Sequence, residues 1–192
     1  TLTWEYQMAT AKKKSAKSEK AEPRAMARAY TPLINRHRPK TFKEMIGMRS
    51  TVDAIEKSIL NGEIPNAYLL MGATGCGKTT FARVIARTVM CETYNGCGKC
   101  SSCETFDKNP DSHMSYTEVN CGSDGKIDDI RNLIQLSHTS PMMGKMRVIV
   151  LDEAHRLTPA SVEALLKPLE EPSESTLWIL ATTESQALKD TL

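Results

Sequence analysis

The stretch GATGCGKTT, residues 72–80, constrains the architecture of this chain more than any other nine residues. It matches the pattern G-x-x-x-x-G-K-[ST], which works as a phosphate cradle only where a strand passes into a helix. The flanking residues meet that condition. NAYLLMG (66–72) is a short apolar run of strand type, and TTFARVIARTVM (79–90) sets Phe81, Val84, Ile85 and Val89 on one helical face. Gly72, Gly75 and Gly77 permit the tight turn, so the backbone N–H groups from Ala73, Thr74 and Cys76 through to Thr80 converge on phosphates at the helix N-terminus. Lys78 offers a point charge to the β- and γ-phosphates, and the Thr79 hydroxyl offers an oxygen to Mg²⁺. The thiol of Cys76 reads as a small filler inside the loop.

A cradle of this kind requires a second strand that ends in acid, and RVIVLDE (147–153) supplies it. Asp152 is expected at the C-terminal end of a buried strand, where open parallel α/β sheets bind their ligands, in position to hold Mg²⁺. Glu153 follows as the group that orients and polarises an attacking water. The fold class is therefore a three-layer α/β P-loop NTPase with a mainly parallel sheet, its strands near 67–71, 115–121, 147–152 and 177–182. A helix over STVDAIEKSILNG (50–62) precedes the loop. Ser50 or Thr51 is its expected cap, Val52, Ile55, Ile59 and Leu60 its inner face, and Gly62 its stop.

Residues 152–155 also spell DEAH, a helicase signature, and the residues after it decide whether that name applies. LTPASVEALLKPLEEP (157–172) reads as a helix capped by Thr158 with Pro159 at its first position, Val162, Leu165, Leu166 and Leu169 inward, and EEP as its end. TLWILATTE (176–184) then reads as another buried strand ending in two threonines. A helicase of that class is expected to carry a Ser-Ala-Thr-like strand and a second core domain with its own arginines; residues 157–184 read instead as this helix and strand.

Charge and cysteine usage set the outer bounds. The net charge of +2 conceals ten Lys/Arg against three Glu within residues 1–40. That segment is rich in Ala, Lys and Ser and has few large apolar groups, so residues 1–30 are expected to form a basic, disordered tail, either solvated or contacting nucleic acid. No run of eighteen apolar residues occurs, so a soluble, cytoplasmic chain without a membrane span is expected. Of six cysteines, Cys91, Cys97, Cys100 and Cys103 form C-x5-C-x2-C-x2-C. Four thiolates at that spacing suit a closed, structural Zn²⁺ site over about residues 91–106; a redox pair is the competing reading. Cys121, at the end of the strand-like SYTEVNC, is expected to be a buried thiol.

The ordered set RPKTFKEMIG, NAYLLMGATGCGKTTFARVIA, the cysteine cluster, DGKIDDIRNLI, DEAHRLTPASVEALLKPLEEP and LWILATTE resembles the AAA+ ATPase subunits of sliding-clamp loaders, in particular the γ/τ type of bacterial DNA polymerase III. The likeness covers about residues 33–192, with the nucleotide-binding domain at 31–192. It implies a motor that binds and hydrolyses ATP to open a sliding clamp and place it on primed DNA, within a hetero-oligomeric ring of other clamp-loader subunits. It also implies that Thr183, with Thr182 as the alternative, senses the γ-phosphate, and that Arg38, Pro39, Ile46 and Gly47 surround the adenine. His37 and Met48 depart from the family pattern within that segment. Residues 122–129 are implied to face DNA, with Lys126 either a phosphate contact or a solvated lysine; His155 receives no role. An arginine finger, a helical lid, a collar and a fifth strand are expected beyond Leu192, the finger to be supplied by a neighbour. A non-catalytic δ′-like subunit and a DEAH helicase fragment are the alternative readings.

Overall fold

The structure is a computed structural model that describes residues 37–184. The tail expected over residues 1–30, the start of the domain at 31–36 and everything after residue 184 lie outside the described residues. Four strands, β1 (Ala67–Met71), β2 (Tyr116–Asn120), β3 (Arg147–Asp152) and β4 (Thr176–Thr182), form one parallel sheet in the order β1-β4-β3-β2. The helices are α1 (Arg49–Leu60), α2 (Lys78–Met90), α3 (Ser101–Lys108), the single turn α4 (Cys121–Asp124), α5 (Ile127–Ser137) and α6 (Pro159–Glu170). None is long and apolar enough to cross a membrane.

Period-two alternation in the central strands builds two cores. Val148 and Val150 of β3, with Leu177, Ile179 and Ala181 of β4, face a core shared with Val52, Ile59 and α2. Their neighbours Ile149, Leu151, Trp178 and Leu180 face the opposite core, closed by Cys121, Ile130, Leu133 and Leu165. Strands apolar on both faces belong in a parallel sheet covered by helices on each side, and β3 and β4 are buried over nearly their whole length. The expected helical face of α2 holds, with Phe81, Val84, Ile85 and Val89 all at most 4% exposed.

Three local expectations change. Neither Ser50 nor Thr51 caps α1; the N-cap is Met48, left-handed at φ +43, without a side-chain cap bond. Leu60 is 54% exposed, because the inner face of α1 is carried by Val52 and Ile59, with Ile55 half-buried. Cys121 is buried as expected, but it opens α4 and does not extend β2. In α6 the cap is the expected one, Thr158 Oγ1 accepting from the Ser161 N–H at 3.2 Å. Leu165 is its deeply buried leucine, while Leu166 joins neither core.

Register brings the site residues together. Met71 lies opposite Thr182, and Asn120 opposite Asp152. The C-terminal ends of all four strands thus meet on one rim, with the 72–80 loop leaving from the end of β1.

Candidate functional site

The loop after β1 is shaped by two glycines for different reasons. Gly77 is the N-cap of α2 in the left-handed region (φ +96, ψ +17), where a Cβ is strained. Gly72 packs closely under the loop: a Cβ there would lie 2.7 Å from Cys76 Sγ, so the exposed thiol would have to turn aside. Gly75, also left-handed at φ +79, completes the turn. Cys76 is exposed and its N–H donates to Ala73 O at 3.3 Å, so its place is within the loop's own fold. Thr74 lies within the same turn, and Thr80 within the first turn of α2.

Two side chains leave this loop toward the rim. Lys78 Nζ donates to Gly72 O at 2.8 Å and to Ala73 O at 2.9 Å, which folds the ammonium over its own loop. Thr79 Oγ1 donates to Asp152 Oδ2 at 2.6 Å, across 73 residues of sequence. Asp152 Oδ1 accepts the Glu153 N–H at 2.9 Å, which fixes the carboxylate with one oxygen facing the helix start. This pairing of hydroxyl and carboxylate oxygens at one point suits Mg²⁺, a hard cation bound by oxygen.

Glu153 takes a left-handed conformation at φ +53, a backbone state that costs a non-glycine residue on the order of 1 kcal/mol or more. Its carboxylate pairs with Arg156 Nε at 3.1 Å, both side chains being largely solvated. Thr182 is fully buried, and its hydroxyl closes a turn with the N–H and C=O of Glu184 at 3.1 and 3.0 Å. Thr183 is exposed beside it.

The segment expected around adenine is less unified. Ile46 is 98% exposed. Gly47 alone of the four expected residues lines a cavity of about 120 Å³, together with Phe42, Met45 and Val52. Arg38 instead stands near a charge cluster on the other side of α2. There Arg83 makes a two-pronged bond to Glu118, at 2.7 and 2.8 Å, and the Tyr116 hydroxyl adds a third contact. Burial, then the nearby Arg83 charge, lowers the Arg38 pKa, and its Nε and Nη1 have no partner among the described residues. Burial would raise the Glu118 carboxyl, but Arg83 and Tyr116 outweigh it and hold it below the usual carboxylate range. No spacing rule links residues 38, 83 and 118, so the sequence carries no signal for this cluster. Lys126 is exposed at the N-cap of α5.

The four clustered cysteines do converge: their Sγ atoms all lie within 4.8 Å of one another. Cys91 and Cys100 are 4.0 Å apart, close to the roughly 3.8 Å edge that 2.3 Å tetrahedral Zn–S bonds require. Cys91 caps the end of α2, left-handed Gly96 and Gly98 turn the chain, and Cys100 caps α3. Backbone N–H groups point at three of the four sulfurs, from Cys97 to Cys91, from Lys99 and Cys100 to Cys97, and from Cys103 to Cys100, at 3.4–3.5 Å, while burial pushes the Cys103 thiol up. Burial pushes the Cys91 thiol up, yet the Thr93 hydroxyl and the N–H groups of Cys97, Thr93 and Asn95 bring it to about 5. Such donors favour the thiolate form that binds metal. The cluster is bolted to α2 by Arg87, 5% exposed, which grips Asp107 at 2.8 and 2.9 Å and Gly96 O at 2.7 Å. Beneath it, buried His113 accepts the Ser115 N–H at Nδ1, which places its proton on Nε2 facing Ser102 Oγ at 2.8 Å; Ser102 in turn donates to Met90 O.

Comparison with known proteins agrees with this geometry. The family model described as DNA polymerase III, delta subunit, matches residues 47–192. The DNA polymerase III subunit gamma/tau of Mycobacterium tuberculosis is 37% identical over 163 residues, 83% of this chain and 28% of that protein. The DNA polymerase III subunit tau of Escherichia coli is 35% identical over 167 residues, 85% of this chain and 26% of that protein. The chain thus spans about a quarter of the length of these relatives. Among solved structures, the Thermotoga maritima RuvB Holliday junction branch migration motor superposes with a TM-score of 0.53 at 22% identity, over 81% of this chain and 46% of that one. A gamma subunit-related protein of DNA polymerase III from the same organism gives 0.51 at 18% identity, over 76% and 44%. These two likenesses show the fold alone, the parallel α/β sheet described above. Matched by the family model along most of its length and by gamma/tau relatives at more than a third identity, the chain belongs to the DNA polymerase III delta-subunit family.

Proposed function

We propose that this chain is the nucleotide-binding part of a clamp-loader motor, which binds ATP at the 72–80 loop and hydrolyses it. The observation that carries this reading is the 2.6 Å bond between Thr79 and Asp152. It joins the start of α2 to the acidic end of β3, the two parts a P-loop ATPase must bring together. In this reading the N–H groups of residues 73–80 take the phosphates, and Lys78 exchanges its two loop carbonyls for β- and γ-phosphate oxygens. Thr79 and Asp152 hold Mg²⁺, which when bound neutralises charge on those oxygens. Glu153 orients the water, and Thr183, exposed beside the buried Thr182, meets the γ-phosphate. Gly47 lies at the adenine side; Arg38, Pro39 and Ile46 are retained there only through the family resemblance. The four cysteines hold Zn²⁺ as a structural module over about 91–106, with no open coordination position and no catalytic duty.

In the full-length protein this domain would sit in a ring with other clamp-loader subunits, take an arginine finger from a neighbour, and open a sliding clamp at primed DNA. Lys126 then remains a solvated lysine on the DNA-facing side. The family model's description as a delta subunit favours one second reading, a δ′-like subunit without ATPase duty. Against it stands the complete set of Lys78, Thr79, Asp152 and Glu153. Titration of Mg-ATP into this chain separates the two. Saturable binding that Lys78→Ala removes supports the motor; absence of binding by the unaltered chain supports the second reading. With no neighbour to supply the finger, hydrolysis by this chain alone should be very slow, since such a finger contributes roughly 10³–10⁵ in rate.

A further inference from the structure

His155 has a place at the rim that the acidic pair does not explain. The one-turn 3₁₀ helix Ala154–Arg156 is entered through left-handed Glu153, so the chain doubles back over the ends of the strands as soon as β3 finishes. Because β4 is the parallel neighbour of β3, this reversal lays the half-buried imidazole over the end of β4. His155 Nδ1 lies 3.4 Å from Thr182 Oγ1 and 3.5 Å from Thr183 Oγ1. The two hydroxyls differ. Thr182 is already engaged with the N–H and C=O of Glu184. Thr183, among the described residues, meets only His155.

A hydroxyl has one proton and two lone pairs. If Thr183 is to give its proton to a phosphate oxygen, no protein acceptor should hold that proton, and a donor at its lone pair fixes which way the O–H points. Glu153 and Arg156, the charged neighbours on the same turn, are paired with each other. Among the described residues, the imidazole is therefore the group left to serve Thr183.

We propose that His155 is a positioning residue: its Nδ1–H donates to Thr183 Oγ1 and turns the Thr183 O–H toward the terminal phosphate of a bound nucleoside triphosphate. This rests on the nucleotide reading above and adds to it a residue that discriminates triphosphate from diphosphate. The proposal fixes the tautomer as Nδ1–H. The present separations are long for hydrogen bonds, and active-site bonds of this kind tighten when the ligand is in place.

The test is equilibrium binding of ADP and of a non-hydrolysable ATP analogue, each with Mg²⁺, to this chain and to its variants. His155→Ala should weaken the triphosphate analogue by about tenfold, the worth of one hydrogen bond to a charged group. ADP affinity should change by less than about twofold, because the diphosphate does not reach Thr183. Two further variants separate positioning from bulk. In His155→Asn the side-chain amide falls at the place of Nδ1 and should keep the discrimination; in His155→Gln it falls near Nε2 and should lose it. Thr183→Ala should match His155→Ala, and the double variant should lose no more than either single one. Equal weakening of both nucleotides, an unchanged ratio in His155→Ala, or additive losses in the double variant would overturn the proposal. If the unaltered chain bound neither nucleotide, the nucleotide reading itself would fail and take this inference with it; binding of both with no change on substitution would remove only the role of His155.

Discussion

The nucleotide rim and the cysteine cluster are joined to opposite ends of the same helix, α2, yet they are assembled in opposite ways. The rim joins residues far apart in sequence: Thr79 bonds Asp152, and Gly72 N–H donates to Thr182 O at 3.2 Å. Its geometry follows from strand order and register, so the whole sheet preorganises it. The cluster gathers four cysteines from thirteen consecutive residues and caps both of its helices with cysteine. Phe106 and Tyr94 join it to the core, Arg87 and the His113–Ser102–Met90 chain brace it, and a metal ion, if bound, would tie its four thiols together. A site built by the fold should survive the loss of one side chain in shape and lose only binding. A site built by a ligand should lose its shape.

The largest expected effect breaks the cluster alone. Removing zinc by chelation, or with Cys97→Ser plus Cys100→Ser, should release one equivalent of metal and expose the amides of residues 91–106 to hydrogen exchange. Zn²⁺ binding contributes about 10–16 kcal/mol in isolated zinc-finger peptides, so a large fall in melting temperature is expected. ATP affinity should drop by less than about threefold. A collapse of nucleotide binding would show that the two regions form one cooperative unit.

Next in size is the bolt between them. Arg87→Ala leaves Asp107, which is 23% exposed, with only Lys40 at 3.9 Å, and leaves Gly96 O without its partner; the expected loss is about 2 kcal/mol in denaturant unfolding. Equal stability of the variant would mean that zinc alone holds the module. At the rim, Lys78→Ala should cost about 2 kcal/mol of ATP binding, roughly thirtyfold, with the nucleotide-free melting temperature unchanged. That contrast between lost binding and kept stability is what distinguishes the rim from the cluster.

The smallest effect is set by pH. Burial lowers the pKa of His113, whose Nδ1 must stay unprotonated to accept from Ser115. At pH above the ordinary histidine value of about 6.5, neither the native nor the unfolded imidazole is charged, and the contribution is fully present. As pH falls below that value the unfolded state binds the proton and the native state does not, so stability declines until the native pKa is reached. His113→Asn should flatten this part of the stability curve. An unchanged slope would assign the acid sensitivity to the thiolates. Cys121 offers a control: burial, then the charges of Asp152, Glu153 and Asp124, push its thiol up to about 12, so it should resist alkylation while exposed Cys76 reacts.

What the sequence revealed follows the same division. Local patterns were legible: the phosphate loop, the acidic strand, the four cysteines, and the strands to within a residue or so at each end. Each rests on spacing within a dozen residues, which the chain's own periodicity encodes. Less legible were features set by tertiary contact. Met48 displaced Ser50 and Thr51 as the cap of α1 because Gly47 and Met48 both turn left-handed there. Leu60 is apolar at a helical position but points away from the sheet. Arg38, Arg83, Tyr116 and Glu118 meet through the fold alone, and His155 looked idle because its partners lie nearly thirty residues later, at the end of the neighbouring strand and just past it.

The role proposed for this domain is in an ATP-driven clamp loader. Its most direct test is the ATPase rate of the full-length protein with candidate ring partners, compared without DNA, with single-stranded DNA, and with primed DNA plus sliding clamp. The highest rate is expected with primed DNA and clamp together, abolished by Lys78→Ala. Stimulation by single strands alone, indifferent to the clamp, would contradict it and return the DEAH tetrapeptide to its helicase meaning.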